Sequence, residues 1–192
     1  MTTDKLNDVK TELTKVQNKI ESNEHVKGYN ESEFSKTNAL RIENVEKGFE
    51  QYDYVILEGS EEQYRNFLYK VIELNGSNHS YADFYYSKLT MEQKENFKEN
   101  LTASDLNYLN SNLFIEDIYF SLTERLMTFL LDITIKEILF SSFYFTKYPC
   151  TLWGNYGLKF PIFFKNNTIK KTYQKLADSC GLTFDENNSL KY

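Results

Sequence analysis

Residues 114–145 have the sequence FIEDIYFSLTERLMTFLLDITIKEILFSSFYF, the most apolar region of the chain. Two apolar stripes recur in it at helical spacing, and most charged residues occupy the remaining positions. The stripes are Ile115, Tyr119, Leu122, Leu126, Phe129 and Ile133, and Phe120, Met127, Leu131, Ile135 and Ile138. This pattern predicts one long helix that is packed on at least two sides. We therefore expect a mainly α (α+β) fold, a multi-helix bundle around this long central helix.

Shorter helices are predicted before this region. Ser60 and Thr90 are each followed three residues later by a Gln, which is the spacing of a capping box at a helix start. Thr102 or Ser104 can cap a further helix that extends to about residue 113. Residues 52–57 are rich in β-forming side chains, so they predict a short strand or a buried extended segment.

The pattern changes after Pro149. Residues 151–155 and 158–165 predict a small C-terminal β-hairpin, because aromatic and β-branched side chains flank the turn-forming pair Tyr156-Gly157. A last helix is expected after Asn166, with Gly181 placed where glycine commonly ends a helix. These signals predict a single helical domain over residues 33–192, with a small β element near 151–165.

The N-terminal residues 1–24 carry a separate, narrow apolar stripe. Its members are Leu6, Val9, Leu13, Val16 and Ile20, at alternating spacings of three and four residues. This pattern predicts an amphipathic, coiled-coil-like helix. Fewer than three heptads are marginal for an isolated coiled coil, so three uses remain open: pairing with a second copy, docking on another protein, or packing on the chain's own bundle.

Composition and charge restrict the class of protein. The formal net charge is −6, and no apolar run has the length of a membrane span. The N-terminus lacks a signal-peptide pattern, and Cys150 and Cys180 are too far apart for a CxxC motif. We therefore expect a cytoplasmic protein without a membrane partner. Abundant Asn, Lys, Ile, Tyr and Phe indicate a low-GC bacterium, or a phage or mobile element within one.

The charge is distributed unevenly along the chain. Residues 1–139 hold 15 basic and 25 acidic side chains, a net charge of −10, whereas residues 140–192 hold 7 and 3, a net charge of +4. A basic C-terminal region could contact nucleic acid, although the acidic whole makes this partner the less favoured one. The candidate residues for that alternative are Lys159, Lys165, Lys170, Lys171 and Lys175, with nearby aromatic side chains as a possible stacking surface.

The sequence contains no recognised catalytic or cofactor motif. Phosphate-binding glycine patterns are absent, and the two histidines, His25 and His79, lie in polar stretches without metal-ligand spacing. We expect neither a cofactor nor a metal. An unrecognised carboxylate or metal site in an enzyme stays an alternative, with Glu116, Asp117 and Glu124 as an example on neighbouring turns of the predicted long helix.

These observations favour a non-enzymatic protein-binding module, such as a phage- or mobile-element-encoded inhibitor, regulator or assembly factor. The expected partner is another protein, and the chain itself could form a homo-oligomer. Besides the N-terminal stripe, Tyr81, Tyr85 and Tyr86 are candidate contact residues, because tyrosine is enriched at interfaces and this aromatic cluster lies on a predicted turn or short helix.

Overall fold

The computed structural model describes residues 26–112 and 116–185, and its central element is a sheet. The strands are β1 (Gly28–Tyr29), β2 (Asp53–Glu58), β3 (Ser80–Asp83), β4 (Tyr119–Ser121), β5 (Ser142–Phe145), β6 (Cys150–Trp153), β7 (Lys159–Phe164) and β8 (Thr183–Asp185). They form one eight-stranded antiparallel sheet in the order β1-β4-β3-β5-β6-β7-β2-β8. The expected helical bundle around a long central helix is therefore wrong, and this part of the chain is an α+β fold rather than a bundle or a coiled coil.

Most of the helices in the described part of the chain cover one face of this sheet. The α-helices are α1 (Glu31–Phe34), α2 (Val45–Gln51), α3 (Glu61–Asn75), α4 (Met91–Glu99), α5 (Ala103–Ser111), α6 (Glu124–Ile135) and α7 (Asn167–Cys180). Apolar side chains of α3, α6 and α7 pack on the sheet in one buried cluster, which includes Phe67, Phe129 and Tyr173. Each fully buried side chain of this size stabilises the fold by roughly 1.5–3 kcal/mol. We call this side of the sheet the helical face.

The opposite face of the sheet is more polar. Side chains alternate between the two sides of a strand, so β3 directs Ala82 into the helical face and its neighbours Tyr81 and Asp83 to the other side. The register pairs Tyr81 with Tyr144 and Asp83 with Tyr119, which gathers these residues on one surface. We call this surface the second face.

Residues 30–52, here named the covering segment, lie across the second face. Phe34 is fully buried and stacks on Tyr119 with ring centroids 3.9 Å apart. The Thr151 hydroxyl donates a 2.6 Å hydrogen bond to the carbonyl oxygen of Leu40. Helix α2 approaches the sheet at Gly48, where an added Cβ would lie 2.7 Å from the Phe163 ring. The segment is therefore anchored at three points along its length.

The stretch predicted as one long helix consists of three elements among its described residues. Thr123 caps α6 by accepting a hydrogen bond from the Leu126 backbone N–H, and the strand β4 precedes it. The helix ends at Ile135, and Glu137 has a left-handed φ of 57° that stops its continuation. The error has a physical cause: an apolar run contains apolar residues at helical spacing even where the chain is a buried strand such as β5.

The predictions that relied on local signals are confirmed. Ser60 and Thr90 each form the expected capping box, and Thr102 accepts a hydrogen bond at the start of α5. Asn166 caps α7, which ends at Gly181 with a φ of 75°. The hairpin strands near 151–165 exist, but β6 and β7 are interior strands of the large sheet rather than a small separate element. Within 26–112 and 116–185, no helix has the length and apolarity needed to cross a membrane.

Candidate functional site

A cavity of about 510 Å³ opens between the covering segment and the second face of the sheet. The covering segment contributes Arg41, and the sheet contributes Asp83, Tyr119, Tyr144 and Trp153. These side chains share the cavity because antiparallel pairing places alternate residues of adjacent strands on the same surface. A concave site with polar groups converging on it is the expected form of a binding site in a small protein.

Asp83 lies at the floor of the cavity and is only 3% exposed. Its Oδ1 accepts a 2.6 Å hydrogen bond from the Ser142 backbone N–H, and its Oδ2 accepts a 2.7 Å bond from the Tyr144 hydroxyl. Burial raises the pKa of Asp83 from 3.8 to about 6, and the hydrogen bonds from Ser142 and Tyr144 limit this rise. The carboxyl group is therefore mainly ionised at neutral pH despite its burial.

Tyrosine hydroxyls surround this carboxylate. Burial raises the pKa of Tyr85, and the nearby charge of Asp83 raises it further. The pKa of Tyr144 is also well above its ordinary value, first because of burial and then because of Asp83. Both hydroxyls stay protonated at neutral pH, so they can donate as well as accept hydrogen bonds.

Charged groups of the covering segment lie at the cavity's outer edge. Arg41 forms a 2.6 Å ion pair with Glu31, and its guanidinium lies 5.8 Å from the centroid of the Tyr119 ring. Glu43 also lines the cavity and pairs with Lys47. Because both ion pairs are largely exposed, each contributes little to stability. Their position gives the cavity entrance a mixed but mainly acidic character.

Aromatic side chains form the rest of the entrance. Tyr85 is 40% exposed, and the half-buried Phe140 packs edge-on against Tyr156, which is 64% exposed. The loop that carries Tyr156 is held by a 3.0 Å hydrogen bond from the Gly157 N–H to the Glu137 carboxylate. We call Tyr85, Phe140, Trp153 and Tyr156 the aromatic rim.

Gly154, which follows Trp153, lies very close to the backbone of Ser141. A Cβ at Gly154 would lie 2.5 Å from the Ser141 carbonyl oxygen and 2.7 Å from the Thr134 side chain. The Gly154 N–H donates a 3.1 Å hydrogen bond to that same carbonyl oxygen. Only glycine allows this approach without displacing the backbone, so the position of Trp153 beside it depends on a residue without a side chain.

The structure separates the three tyrosines that were predicted as contact residues. Tyr85 lines the cavity. Tyr81 is buried beneath the covering segment against Phe34, and Tyr86 packs on the helical face beside Phe84. A role of any of them in partner binding stays a prediction. The predicted stripe Leu6, Val9, Leu13, Val16 and Ile20 lies outside the described residues.

The lysines of the nucleic-acid alternative do not line the cavity. Lys159 pairs with Glu58 at 2.9 Å, and Lys165 follows the end of β7. Lys170, Lys171 and Lys175 lie on α7, which packs on the other side of the sheet. Three of the aromatic residues near these lysines, Phe160, Phe163 and Phe164, are fully buried. Those rings are core residues and offer no surface to a nucleic-acid base.

The proposed acidic cluster is not assembled. Glu116 and Asp117 lie in the loop before β4, whereas Glu124 opens α6, so they are not on neighbouring turns of one helix. In the part of the chain that the structure describes, no group of three or more His, Cys, Asp or Glu side chains is placed to hold a metal ion. The ionisable groups that line the cavity are Asp83, Glu31, Glu43, Arg41 and the tyrosines.

Most residues of the cavity were missed in the sequence. Asp83, Tyr119, Tyr144 and Arg41 belong to no motif, and they come together only through strand pairing. One local signal was present: Tyr81, Asp83 and Tyr85 alternate with Ala82, Phe84 and Tyr86, which is the period of a strand and its extension. In a strand, that alternation places the Asp83 carboxylate on the same side as the Tyr81 and Tyr85 rings.

Known proteins give no guide to this site. No family model, no curated protein and no solved structure matches the chain. The function is therefore inferred from the geometry and chemistry of the cavity.

Proposed function

We propose that this chain is a non-enzymatic protein-binding module, of the kind that acts as an inhibitor, regulator or assembly factor, and that its cavity receives a side chain of the partner. The aromatic rim is the observation that carries this proposal. Tyrosine and tryptophan are enriched at the energetically dominant positions of protein interfaces. Here Tyr85 and Tyr156 are substantially exposed. Tyr85 lines the cavity, and Tyr156 packs edge-on against Phe140, which also lines it.

Rigid placement of the walls supports binding. Tyr119 is stacked on Phe34, and Tyr144 is held by its hydrogen bond to Asp83. Because these side chains already have fixed positions, binding of a partner costs less conformational entropy than binding to a mobile site would. Tyr119 and Tyr144 lie on strands β4 and β5, and strands position a contact surface more accurately than loops do.

The charge of the cavity counts against nucleic acid as the partner. Glu31, Glu43 and Asp83 line it, with Arg41 as the cation opposite them. An acidic site repels phosphate groups, which supply most of the affinity of nucleic-acid binders. The lysines on α7 remain a separate region that the cavity does not use.

The pKa of Asp83 supports one second candidate, an enzyme that uses this carboxylate as a general base. A pKa of about 6 is close to what such a base needs at neutral pH. Incubation with a metabolite extract, followed by NMR, tests this candidate. Consumption of a metabolite by the wild-type protein but not by Asp83→Asn protein would establish catalysis and overturn the non-enzymatic proposal.

The experiment for the leading proposal places a photo-crosslinking amino acid at Tyr85 in the full chain, expressed in the cells that encode it. The matched control places it at Met91, which is 75% exposed on α4 and does not line the cavity. A protein that crosslinks only from position 85 is then purified, and its dissociation constant for the full chain is measured. Tyr85→Ala and Trp153→Ala should each weaken binding by about tenfold or more, as expected for aromatic hot spots, while Met91→Ala leaves it unchanged.

Three results have defined consequences. No specific crosslink from position 85, or a crosslinked partner whose affinity is insensitive to both rim substitutions, would refute the proposed surface. If the crosslinked protein is a second copy of this chain, the cavity mediates self-association and does not bind a different protein. The predicted N-terminal stripe is tested in the same assay with Leu13→Glu, which should weaken binding if that stripe also contacts the partner.

A further inference from the structure

The cavity contains more negative than positive charge. Three of its lining side chains are carboxylates, those of Glu31, Glu43 and Asp83, and one is a guanidinium, that of Arg41. Glu31 pairs with Arg41, and Glu43 pairs with Lys47. No ion pair formed by the described residues includes Asp83. Within residues 26–112 and 116–185, the deepest carboxylate therefore has no cationic partner, although it lines an open cavity.

Asp83 also retains capacity to accept hydrogen bonds. An ionised carboxylate has about four acceptor positions. The Ser142 N–H and the Tyr144 hydroxyl take one on each oxygen, and the Ser142 hydroxyl adds a third interaction. By this count at least one acceptor position of Asp83 is left, and Asp83 and Tyr85 both line the cavity.

The walls favour a flat cation over a compact one. Tyr85, Tyr119, Phe140, Tyr144 and Trp153 line the cavity, and the faces of such rings attract cations. A guanidinium is planar, stacks on aromatic rings, carries five N–H donors and is more weakly hydrated than an ammonium group. These properties match a site that combines aromatic surfaces with a buried acceptor.

The chain already uses the same combination for two of its three arginines. Arg41 binds the Glu31 carboxylate and lies against the Tyr119 ring, and this pair sits at the edge of the cavity. Arg125 lies 4.7 Å from the Tyr108 ring centroid while binding Asp105 at 3.2 Å. At two places in this protein, a carboxylate and a tyrosine ring together hold a guanidinium group. Asp83 and the cavity tyrosines form a similar pair, for which the described residues supply no cation.

We infer that the cavity binds the guanidinium group of an arginine side chain, with Asp83 as its acceptor and the aromatic walls as its stacking surface. This inference rests on the proposed function, because the arginine is supplied by the partner protein. Arg41 lies at the edge of the same cavity and opposes the bound cation through its like charge. Its own pairing with Glu31 limits that opposition.

The test uses N-acetyl-arginine methylamide as the probe. Trp153 is the chain's single tryptophan and lines the cavity, so its fluorescence reports occupancy of the site directly. Two analogues serve as matched ligands. The citrulline analogue has nearly the same shape as arginine but no charge, and the lysine analogue has the charge but no planar guanidinium group. The arginine probe should bind at least about tenfold more tightly than the citrulline analogue and more tightly than the lysine analogue.

Two substitutions in the full chain should change the affinity for the probe in opposite directions. Asp83→Asn removes the unpaired charge and should weaken binding by about tenfold or more. Arg41→Gln removes the like charge at the edge and should strengthen binding by about two- to fivefold at low salt, with a smaller gain at high salt. Glu50→Gln, an exposed carboxylate on α2 outside the cavity, should have no effect.

Equal binding of the arginine and citrulline probes would overturn the inference, as would equal binding of arginine and lysine, or the absence of any saturable change in Trp153 fluorescence. Weakened binding in both Asp83→Asn and Arg41→Gln would also overturn it, because charge would then not set the affinity. Failure here is distinct from failure of the proposed function. If the probe does not bind but Tyr85→Ala still weakens the crosslinked partner, only the arginine assignment is lost.

Discussion

The buried carboxylate of Asp83 should reduce the stability of the fold at neutral pH. Its pKa rises from an ordinary value of 3.8 to about 6 in the folded chain, with burial as the main cause. Between these two values the folded protein binds more protons than the unfolded chain does. The free energy of unfolding therefore falls as pH rises through this window, and the stabilising contribution of the protonated group is complete only below the unfolded pKa.

The size of this effect follows from the two pKa values. The difference of about two between these pKa values corresponds to a free energy of roughly 3 kcal/mol. Because the group is fully buried, solvent screening reduces this free energy only slightly. Asp83→Asn preserves the shape of the side chain and removes the titration. The variant should match the wild type at about pH 3 and exceed its free energy of unfolding by about 3 kcal/mol at about pH 8.

Urea unfolding across this pH range, followed by circular dichroism, measures the difference directly. Other carboxylates also titrate in the acid range, so the quantity to compare is the wild-type value minus the variant value at each pH. Glu50→Gln is the matched control and should show no pH-dependent difference, since Glu50 is exposed on α2. A constant offset between wild type and Asp83→Asn, or a wild type that is more stable at neutral pH, would refute the reasoning.

Three further substitutions test the packing of the fold, two of them beside the cavity. Phe34→Ala should lower the free energy of unfolding by about 3–5 kcal/mol, because a fully buried ring stacked on Tyr119 is lost; a loss below about 1 kcal/mol in urea unfolding would mean that the covering segment is not anchored there. Gly154→Ala should cost about 1–3 kcal/mol and shift the Trp153 emission, since the new Cβ would lie 2.5 Å from a backbone oxygen; an unchanged melting temperature and spectrum would contradict this. Tyr64→Phe should cost about 1–3 kcal/mol in the same assay, because its buried hydroxyl binds backbone groups of β2, β7 and the adjoining turn; a neutral result would contradict this.

The sequence predicted the helices whose start signals are local. A capping box needs only residues three apart, so Ser60 and Thr90 reveal α3 and α4 without knowledge of any distant contact. The same holds for Asn166 and Gly181 at the two ends of α7. Thr123 provided an equivalent signal for α6, but the surrounding apolar residues hid it, because they continue the helical spacing on both sides.

The sheet could not be predicted from such signals. Strand β2 pairs with β7, which lies about one hundred residues further along the chain, and with β8 beyond it. Its composition identified an extended segment but not its partners. Likewise β5 has the residues Ser142–Phe145, in which polar and apolar side chains alternate only once, too briefly to be distinguished from the end of a helix.

The cavity was hidden for the same reason. Asp83 and Tyr144 are separated by 61 residues, and they meet because β3 and β5 are neighbours. Arg41 comes from a third region that carries no clear helical or strand pattern. A site whose parts are joined by strand pairing has no sequence motif, so the absence of motifs could exclude several known catalytic sites but not a site of this kind.

The polarity of Asp83 and its charge require different explanations. A polar side chain at this position has a structural use, since it accepts hydrogen bonds from the Ser142 N–H and the Tyr144 hydroxyl. The carbonyl oxygen of an asparagine could accept the bond from the Ser142 N–H, and its NH₂ group could donate to the Tyr144 hydroxyl oxygen. Neither bond would require a buried charge. Structure alone thus accounts for a polar residue but not for an ionised one. A charge retained at a cost to stability is what a binding function would need, and it is this charge that the guanidinium of an incoming arginine would neutralise.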